Sequence, residues 1–306
     1  MIDQIGIVGM GGMGRGIAEA AARAGLEVVL VKSTPGSVNS AREALERSLD
    51  RAVARGKVSP EERTQVLGRI SLSLNLDALS RCDVIVESII EELEPKLRLF
   101  VDLERRVAPN AVLASNTSSL PLLDIAQALK VPSRFLGLHF FSPAQIMKLV
   151  ELSPTDRTYP AAVESALELI AIMGKTPVLV SPTSGYIVNR LMVPYLLDAI
   201  SALESQLAPA RSIDTAMRLG CGSPMGPLEL ADAIGLDVLF QMAKTMHREL
   251  CDSANATRYS PPAMLRRLVA KGQLGKKTGR GIYDYSVAPP RENPDLWPGD
   301  VMRIHA

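Results

Sequence analysis

A chain of 306 residues, 47% of them hydrophobic, can hold one large or two medium domains with real cores. Its 34 Lys and Arg nearly balance its 33 Asp and Glu, for a formal net charge of +1, and the signs are interspersed, which excludes the electrostatic footprint of a nucleic-acid binder or of a protein held on an anionic membrane. Cys82, Cys221 and Cys251 are odd in number and far apart, matching neither a disulfide framework nor a metal-ligand spacing, so no metal is expected and a reducing, cytoplasmic compartment fits best.

The first element is a strand, "IGIVG", whose apolar run is too short and too glycine-broken for a signal or membrane segment. It runs into "GMGGMG" and then into a helix over "RGIAEAAARAG". Gly9, Gly11 and Gly14 spell GxGxxG in that strand-to-helix setting. The first glycine makes the tight turn, the second lets a pyrophosphate approach the backbone, and the third lets helix and strand pack closely. Gly12 and Met13 complete the loop, and the helix amides would hold the phosphates. A ligand-free βα turn is the plainer reading, and the setting favours a dinucleotide.

The next strand, "EVVLV", ends at Lys32, where an NAD site usually places an acid for the adenosine 2′-hydroxyl. Such an acid repels a 2′-phosphate, whereas Lys32 with Ser33 and Thr34 would donate to one. A solvated lysine beside an NAD ribose accounts for the residue equally well, so the expected cofactor is NAD or NADP with the choice open. "SVNSAREALERSLDRAVARGKVSPEERTQVLGRI" follows as an amphipathic helix pair joined at "GKVSP", an insertion protruding from the sheet. "CDVIVES", "AVLASN", "FLGLHFF" and "TPVLVS" continue the strands to about Ser184. This alternation gives an α/β, Rossmann-type, doubly wound and mostly parallel sheet with helices on both faces.

"SPTSG" marks the boundary between a dinucleotide-binding domain over 1–184 and an all-helical domain over 185–306. "YIVNRLMVPYLLDAISALES" has apolar residues on nearly every face, as a buried helix does, and "SIDTAMRL", "PLELADAIGLDVLFQMAKTMHREL" and "PAMLRRLVAK" read as amphipathic helices. Only "GIYDY" interrupts them as a strand, and the last twenty residues are a Pro-rich, loosely held tail.

Two residues stand out as acid–base candidates. His139, late in one extended run, and Glu151, at the end of the next, are equidistant from Gln145. If the runs pair across "SPAQ", the two side chains lie opposite each other on one face. A carboxylate on one imidazole nitrogen fixes the tautomer and leaves the other nitrogen as a base near neutral pH, suited to removing a hydroxyl proton. "ASNTSSL", with Asn116 and Ser118, offers polar groups at a strand's carboxyl end, although such residues also serve turns and helix caps. Asn189, set among Ile187, Val188, Leu191 and Met192, needs polar partners, either toward a cleft or between helices.

"GMGGMGRGIA", "VIVESIIEELEPK", "ASNTSSL", "LHFFSPAQIMKLVEL", "GYIVNRLMVPYLLDAI", "GCGSPMGPLELADAIGLD" and "GKKTGRGIYDY" stand in the order and spacing of one family. Over residues 1–287 the chain resembles the 3-hydroxyacyl-CoA dehydrogenases, which include 3-hydroxybutyryl-CoA dehydrogenases. The resemblance implies interconversion of (S)-3-hydroxyacyl and 3-oxoacyl thioesters by hydride transfer with a nicotinamide. It implies His139 as general base, Glu151 as its orienter, and Ser118 and Asn189 as hydrogen-bond partners of the substrate oxygen. It further implies Glu91 and Lys96 near the nicotinamide, Asn116 at the cofactor, Lys57 on the helix pair where the CoA nucleotide rests, and a homodimer formed through the helical domain, which closes over the first with substrate in the cleft. Three departures qualify it. Lys32 replaces the usual aspartate, Ser142 replaces the asparagine of "HFFNP" and leaves a hydroxyl at the substrate, and Ser184 replaces a proline, which should loosen the hinge. The same chemistry on an acyl-carrier-protein substrate of the hydroxymalonyl type is one alternative. A non-catalytic dinucleotide-binding protein is another, and the intact set Ser118, His139, Glu151 and Asn189 argues against it.

Overall fold

Strands that are apolar at successive positions bury both faces, and in this chain they form a single eight-stranded sheet covered by helices. The computed structural model describes residues 2–250 and 256–296; Cys251 and the end of the Pro-rich tail, residues 297–306, lie outside the described residues. The chain divides into two units, one up to Tyr186 and one from Ile187 onward.

In the first unit the strands are β1 (Gln4–Val8), β2 (Glu27–Val31), β3 (Ile70–Ser73), β4 (Val84–Glu87), β5 (Val112–Ser115), β6 (Phe135–Phe140), β7 (Leu149–Pro154) and β8 (Thr176–Leu179). Their spatial order is β3-β2-β1-β4-β5-β6-β7-β8, and every neighbouring pair is parallel except the antiparallel β6 and β7. The helices are α1 (Gly12–Arg23), α2 (Asn39–Ala54), α3 (Pro60–Gly68), α4 (Leu93–Arg106), α5 (Leu122–Gln127) and α6 (Pro160–Ile172). One core joins Ile5, Ile7, Leu30 and Leu138 to α1, α2 and α6, while the opposite face packs Val8, Val31, Ile85 and Leu113 against Phe100 and Leu103 of α4 and Ile125 of α5. Strand order reverses between β1 and β4, so the carboxyl ends of these two strands flank the crevice in which open α/β sheets bind ligands.

The helix pair differs from its expected form. The run ending in "GRI" passes into β3, which pairs in parallel with β2, so α2 and α3 form the crossover between two sheet strands rather than a protruding insertion. Leu45 and Leu49 of α2 and Val66 of α3 are buried in the same core as Ile17 of α1. α3 begins with a capping box in which Ser59 Oγ accepts from the Glu62 amide at 3.1 Å and Glu62 accepts from the Ser59 amide at 2.7 Å. β3 escaped the sequence reading because the helical period of α3 runs up to its first residue.

The second unit contains α7 (Val188–Glu204), α8 (Ala210–Cys221), α9 (Pro227–Ile234), α10 (Leu236–Glu249) and α11 (Ala263–Ala270) around Val193, Leu196, Ile200, Leu228, Leu239 and Met264. "GIYDY" supplies β9 (Tyr283–Asp284), paired with an unanticipated two-residue β10 (Arg291–Glu292). Asp232 of α9 clips this ladder down: its buried carboxylate accepts from the Ile282 amide at 2.9 Å, the Tyr283 amide at 2.8 Å and the Tyr285 hydroxyl at 3.0 Å. Burial pushes Asp232 up to about 6, against the lowering effect of those donors. Asp232→Ala orphans three donors, two of them buried, and is expected to cost about 3 kcal/mol in urea unfolding; a loss below about 1 kcal/mol would mean that water replaces the carboxylate there.

Candidate active site

The glycine loop is shaped by what lies behind it. The Gly9 amide donates to the Val31 carbonyl at 2.8 Å, which places the loop beside the end of β2. Gly9 has φ +120°, and a Cβ there would collide with the Ser88 carbonyl, as one on Gly14 would with the Gly9 carbonyl. Gly11 and Gly12 face open space. α1 therefore starts with no side-chain cap and no acid in its first turn, leaving its leading amides for an anion. Such a cradle has room for a pyrophosphate beside Gly11 and Gly12, while the Met13 side chain packs against the core. At the far end of β2, Lys32 Nζ donates to the Pro35 carbonyl at 2.7 Å and Ser33 is exposed.

β6 and β7 pair with His139 directly opposite Glu151. His139 Nδ1 lies 2.7 Å from Glu151 Oε2, with the two residues 6% and 1% exposed. With Nδ1–H donating to the carboxylate, Nε2 is left with its lone pair as a base. Phe141 and Tyr186 flank the imidazole at ring-centroid distances of 4.5 and 5.4 Å and hold its plane. Glu151 is third in β7 rather than at its end, because the strand continues to Pro154 in its pairing with β6.

The loop after β5 is held by carboxylates from β4 and the turn following it. Glu91 Oε1 accepts from the Thr117 hydroxyl at 2.6 Å, the Ser118 amide at 2.8 Å, the Ser118 hydroxyl at 3.2 Å and the Ser119 amide at 3.2 Å. Lys96, only 1% exposed, bridges Glu87 at 2.5 Å and Glu91 at 3.3 Å. Glu87, fully buried, also accepts from the Ser115 hydroxyl and the Ile89 amide, each at 2.7 Å. Burial works against the charge on Glu91, but Lys96 and the Thr117 and Ser118 donors outweigh it and hold this carboxyl below the usual range. Asn116 links the loop to the histidine's strand, its Oδ1 accepting from the Phe140 amide at 2.8 Å and its Nδ2 donating to Ser88 at 3.3 Å.

Three of the expected residues show their local bonding here. Lys96, 1% exposed, stands behind Glu91 and reaches it at 3.3 Å. Ser184 fastens rather than loosens its surroundings, since its hydroxyl donates to the Ser119 carbonyl at 2.8 Å in a buried setting. Asn116 spends its Oδ1 on the Phe140 amide and one Nδ2 hydrogen on Ser88, which braces the loop.

Ser142 is exposed in the turn after β6, and Lys57 is exposed in the turn between α2 and α3. Asn189 belongs to the second unit, in the first turn of α7 and 7% exposed. Sequence reasoning missed Glu87, Thr117, Ser119 and Tyr186. Glu87 was signalled by a glutamate ending an otherwise apolar strand, a charge that must find a partner if buried. Tyr186 gave no such signal: it adopts φ 46°, is 4% exposed, and its hydroxyl has no hydrogen-bond partner among the described residues. Among the described residues no group of His, Cys, Asp and Glu could hold a metal ion, and no helix is long and apolar enough to cross a membrane.

Comparison with known proteins bears on the same features. Residues 4–183 match the family model "3-hydroxyacyl-CoA dehydrogenase, NAD binding domain", and residues 185–285 match "3-hydroxyacyl-CoA dehydrogenase, C-terminal domain". The chain is 43% identical over 286 residues to a 3-hydroxybutyryl-CoA dehydrogenase of Mycobacterium tuberculosis, covering 93% of this chain and 99% of that one. It is 40% identical over 287 residues to a probable 3-hydroxybutyryl-CoA dehydrogenase of Bacillus subtilis, covering 93% and 98%. The crystal structure of (S)-3-hydroxybutyryl-CoA dehydrogenase from Ralstonia eutropha superposes with a TM-score of 0.87 at 36% identity, covering 94% of this chain and all of that one.

Proposed function

Since this chain belongs to the 3-hydroxyacyl-CoA dehydrogenase family, we propose that it interconverts short (S)-3-hydroxyacyl-CoA and 3-oxoacyl-CoA thioesters such as 3-hydroxybutyryl-CoA. It is an NAD(P)-dependent oxidoreductase. The observation that carries the reading is the in-register pairing of His139 with Glu151, in the same unit as the glycine cradle.

The glycine loop and the start of α1 would hold the pyrophosphate, and a bound nicotinamide would supply hydride donor or acceptor chemistry at carbon 3 of the acyl chain. His139 Nε2 accepts the proton of the 3-hydroxyl in the oxidative direction and returns it in reduction. Glu151 keeps the proton on Nδ1 and stabilises the imidazolium once it forms. Ser118 sits on a loop that Glu91 holds in place; one rotation moves its hydroxyl proton from Glu91 to a substrate oxygen. Asn189 is assigned to the same oxygen on the resemblance, and Ser142 to the substrate beside it. Exposed Lys57 suits a phosphate of CoA, and exposed Leu191, Leu207 and Leu219, at 64%, 75% and 80%, suit a homodimer formed through the helical unit. A cytoplasmic setting fits the same reading.

Acetoacetyl-CoA added to the protein with NADH or NADPH should oxidise the nicotinamide, read as loss of its near-ultraviolet absorbance, with 3-hydroxybutyryl-CoA as product. If the folded protein gives no turnover with either cofactor, the reading fails.

A further inference from the structure

We propose that the end of β2 is a 2′-phosphate subsite, in which Lys32 makes this chain select the phosphorylated dinucleotide over the unphosphorylated one. The proposal rests on the reading of the glycine loop as a dinucleotide cradle and adds which dinucleotide it takes.

Place comes first. The bond from the Gly9 amide to the Val31 carbonyl ties the glycine turn to the last residue of β2, and the Lys32 amide continues the ladder by donating to the Ser73 carbonyl at 3.0 Å. Lys32 is thereby the first residue beyond β2, fixed in backbone next to the pyrophosphate cradle. In a βαβ dinucleotide site this position meets the adenosine ribose, and the sign of its side chain sorts a 2′-hydroxyl from a 2′-phosphate.

Charge comes second. From Val28 to Arg42 the chain contains no Asp or Glu. The β3 residue that flanks this end of the sheet is Ser73, also neutral, and Asp77 beyond it is engaged with Arg106. Lys32 forms no salt bridge among the described residues; its one bond, to the Pro35 carbonyl, leaves two of its three ammonium protons uncommitted. The exposed hydroxyls of Ser33, Thr34 and Ser37 follow within the same turn. A cation followed by hydroxyls, with no carboxylate in its segment, favours a phosphate and lacks the anionic acceptor that would favour a ribose hydroxyl over one.

Shape comes third. The turn closes around the ammonium at Gly36, which has φ +118°, and a Cβ on Gly36 would stand 2.7 Å from Lys32 Nζ. A side chain at Gly36 would need only a small shift of this flexible ammonium, so the glycine answers to its positive φ while the ammonium lies against the turn.

The decisive measurement is the binding of NADPH and NADH to the full chain without thioester, followed by nicotinamide fluorescence, for the parent, Lys32→Ala and Lys32→Asp. The parent should bind NADPH about 10- to 100-fold more tightly than NADH, the size of a charge-assisted hydrogen bond to phosphate. That advantage should shrink as salt rises. Lys32→Ala should bring the two cofactors within about threefold of each other, and Lys32→Asp should reverse the order. Adenosine 2′,5′-bisphosphate should displace NADPH from the parent and fail to do so from Lys32→Asp. Equal affinities in the parent, or a preference that Lys32→Ala retains, would overturn the subsite while leaving the dehydrogenase reading intact. Absence of binding by either nucleotide would remove the cradle itself, and the subsite with it.

Discussion

His139→Ala is expected to lower kcat for acetoacetyl-CoA reduction by about 10²- to 10⁴-fold, the usual share of a positioned general acid–base. KM for the thioester and the dissociation constant of the dinucleotide should stay within about threefold of the parent, because the side chain acts on a proton moved only in the transition state. The physical basis is local. Glu151 is 1% exposed and bonded to Nδ1 at 2.7 Å, so the imidazole is restricted to the tautomer whose Nε2 can accept. Alanine leaves a void against Phe141 and Tyr186, and His139→Gln, which fills that space without supplying a base, separates loss of chemistry from loss of packing. Both variants should be equally impaired and should unfold cooperatively like the parent. Should either retain kcat within tenfold of the parent, another group moves the proton and the assignment to His139 is wrong.

How much of this arrangement could be read from the chain depended on whether a feature is local or non-local. The glycine turn is local: each glycine answers to a backbone within a few residues or across one strand pair, so the motif carries its own geometry. The pairing of His139 with Glu151 was also legible, because a symmetric separation from Gln145 has one antiparallel solution. β3 was hidden because a four-residue strand adjoining a helix shows no period of its own. Glu87 and Lys96 were harder still. The first looks like the end of a strand and the second like an ordinary solvated lysine on α4, and only the fold brings them together nine residues apart. Ser184 was misjudged for the same reason: proline loss was read as added freedom, while its hydroxyl had found the Ser119 carbonyl 65 residues away in sequence. Departures from a family pattern are thus poorly valued one residue at a time, since the replacement side chain brings its own bonds.

Lys96→Met tests the network beneath the Ser118 loop. Methionine keeps most of the side-chain length and removes the charge, so Glu87, fully buried, keeps only the Ser115 hydroxyl and the Ile89 amide. A buried carboxylate stripped of its cation is expected to cost about 3–5 kcal/mol of stability in urea unfolding at neutral pH. Adding Glu87→Gln should restore much of that loss, because a neutral amide needs no counter-charge; the double variant being as unstable as the single one would show that packing, not charge, is at stake. The pH dependence has a definite sign. In the parent Glu91 titrates below its usual range, so its contribution to stability is present at neutral pH and fades as pH falls through that lowered value. Without Lys96 the depression weakens, and acid destabilisation should begin at higher pH. Glu91 then grips Thr117, Ser118 and Ser119 less firmly, so kcat should fall together with stability, although Lys96 touches no substrate. A Lys96→Met protein within about 1 kcal/mol of the parent would refute the claim that this lysine holds the loop.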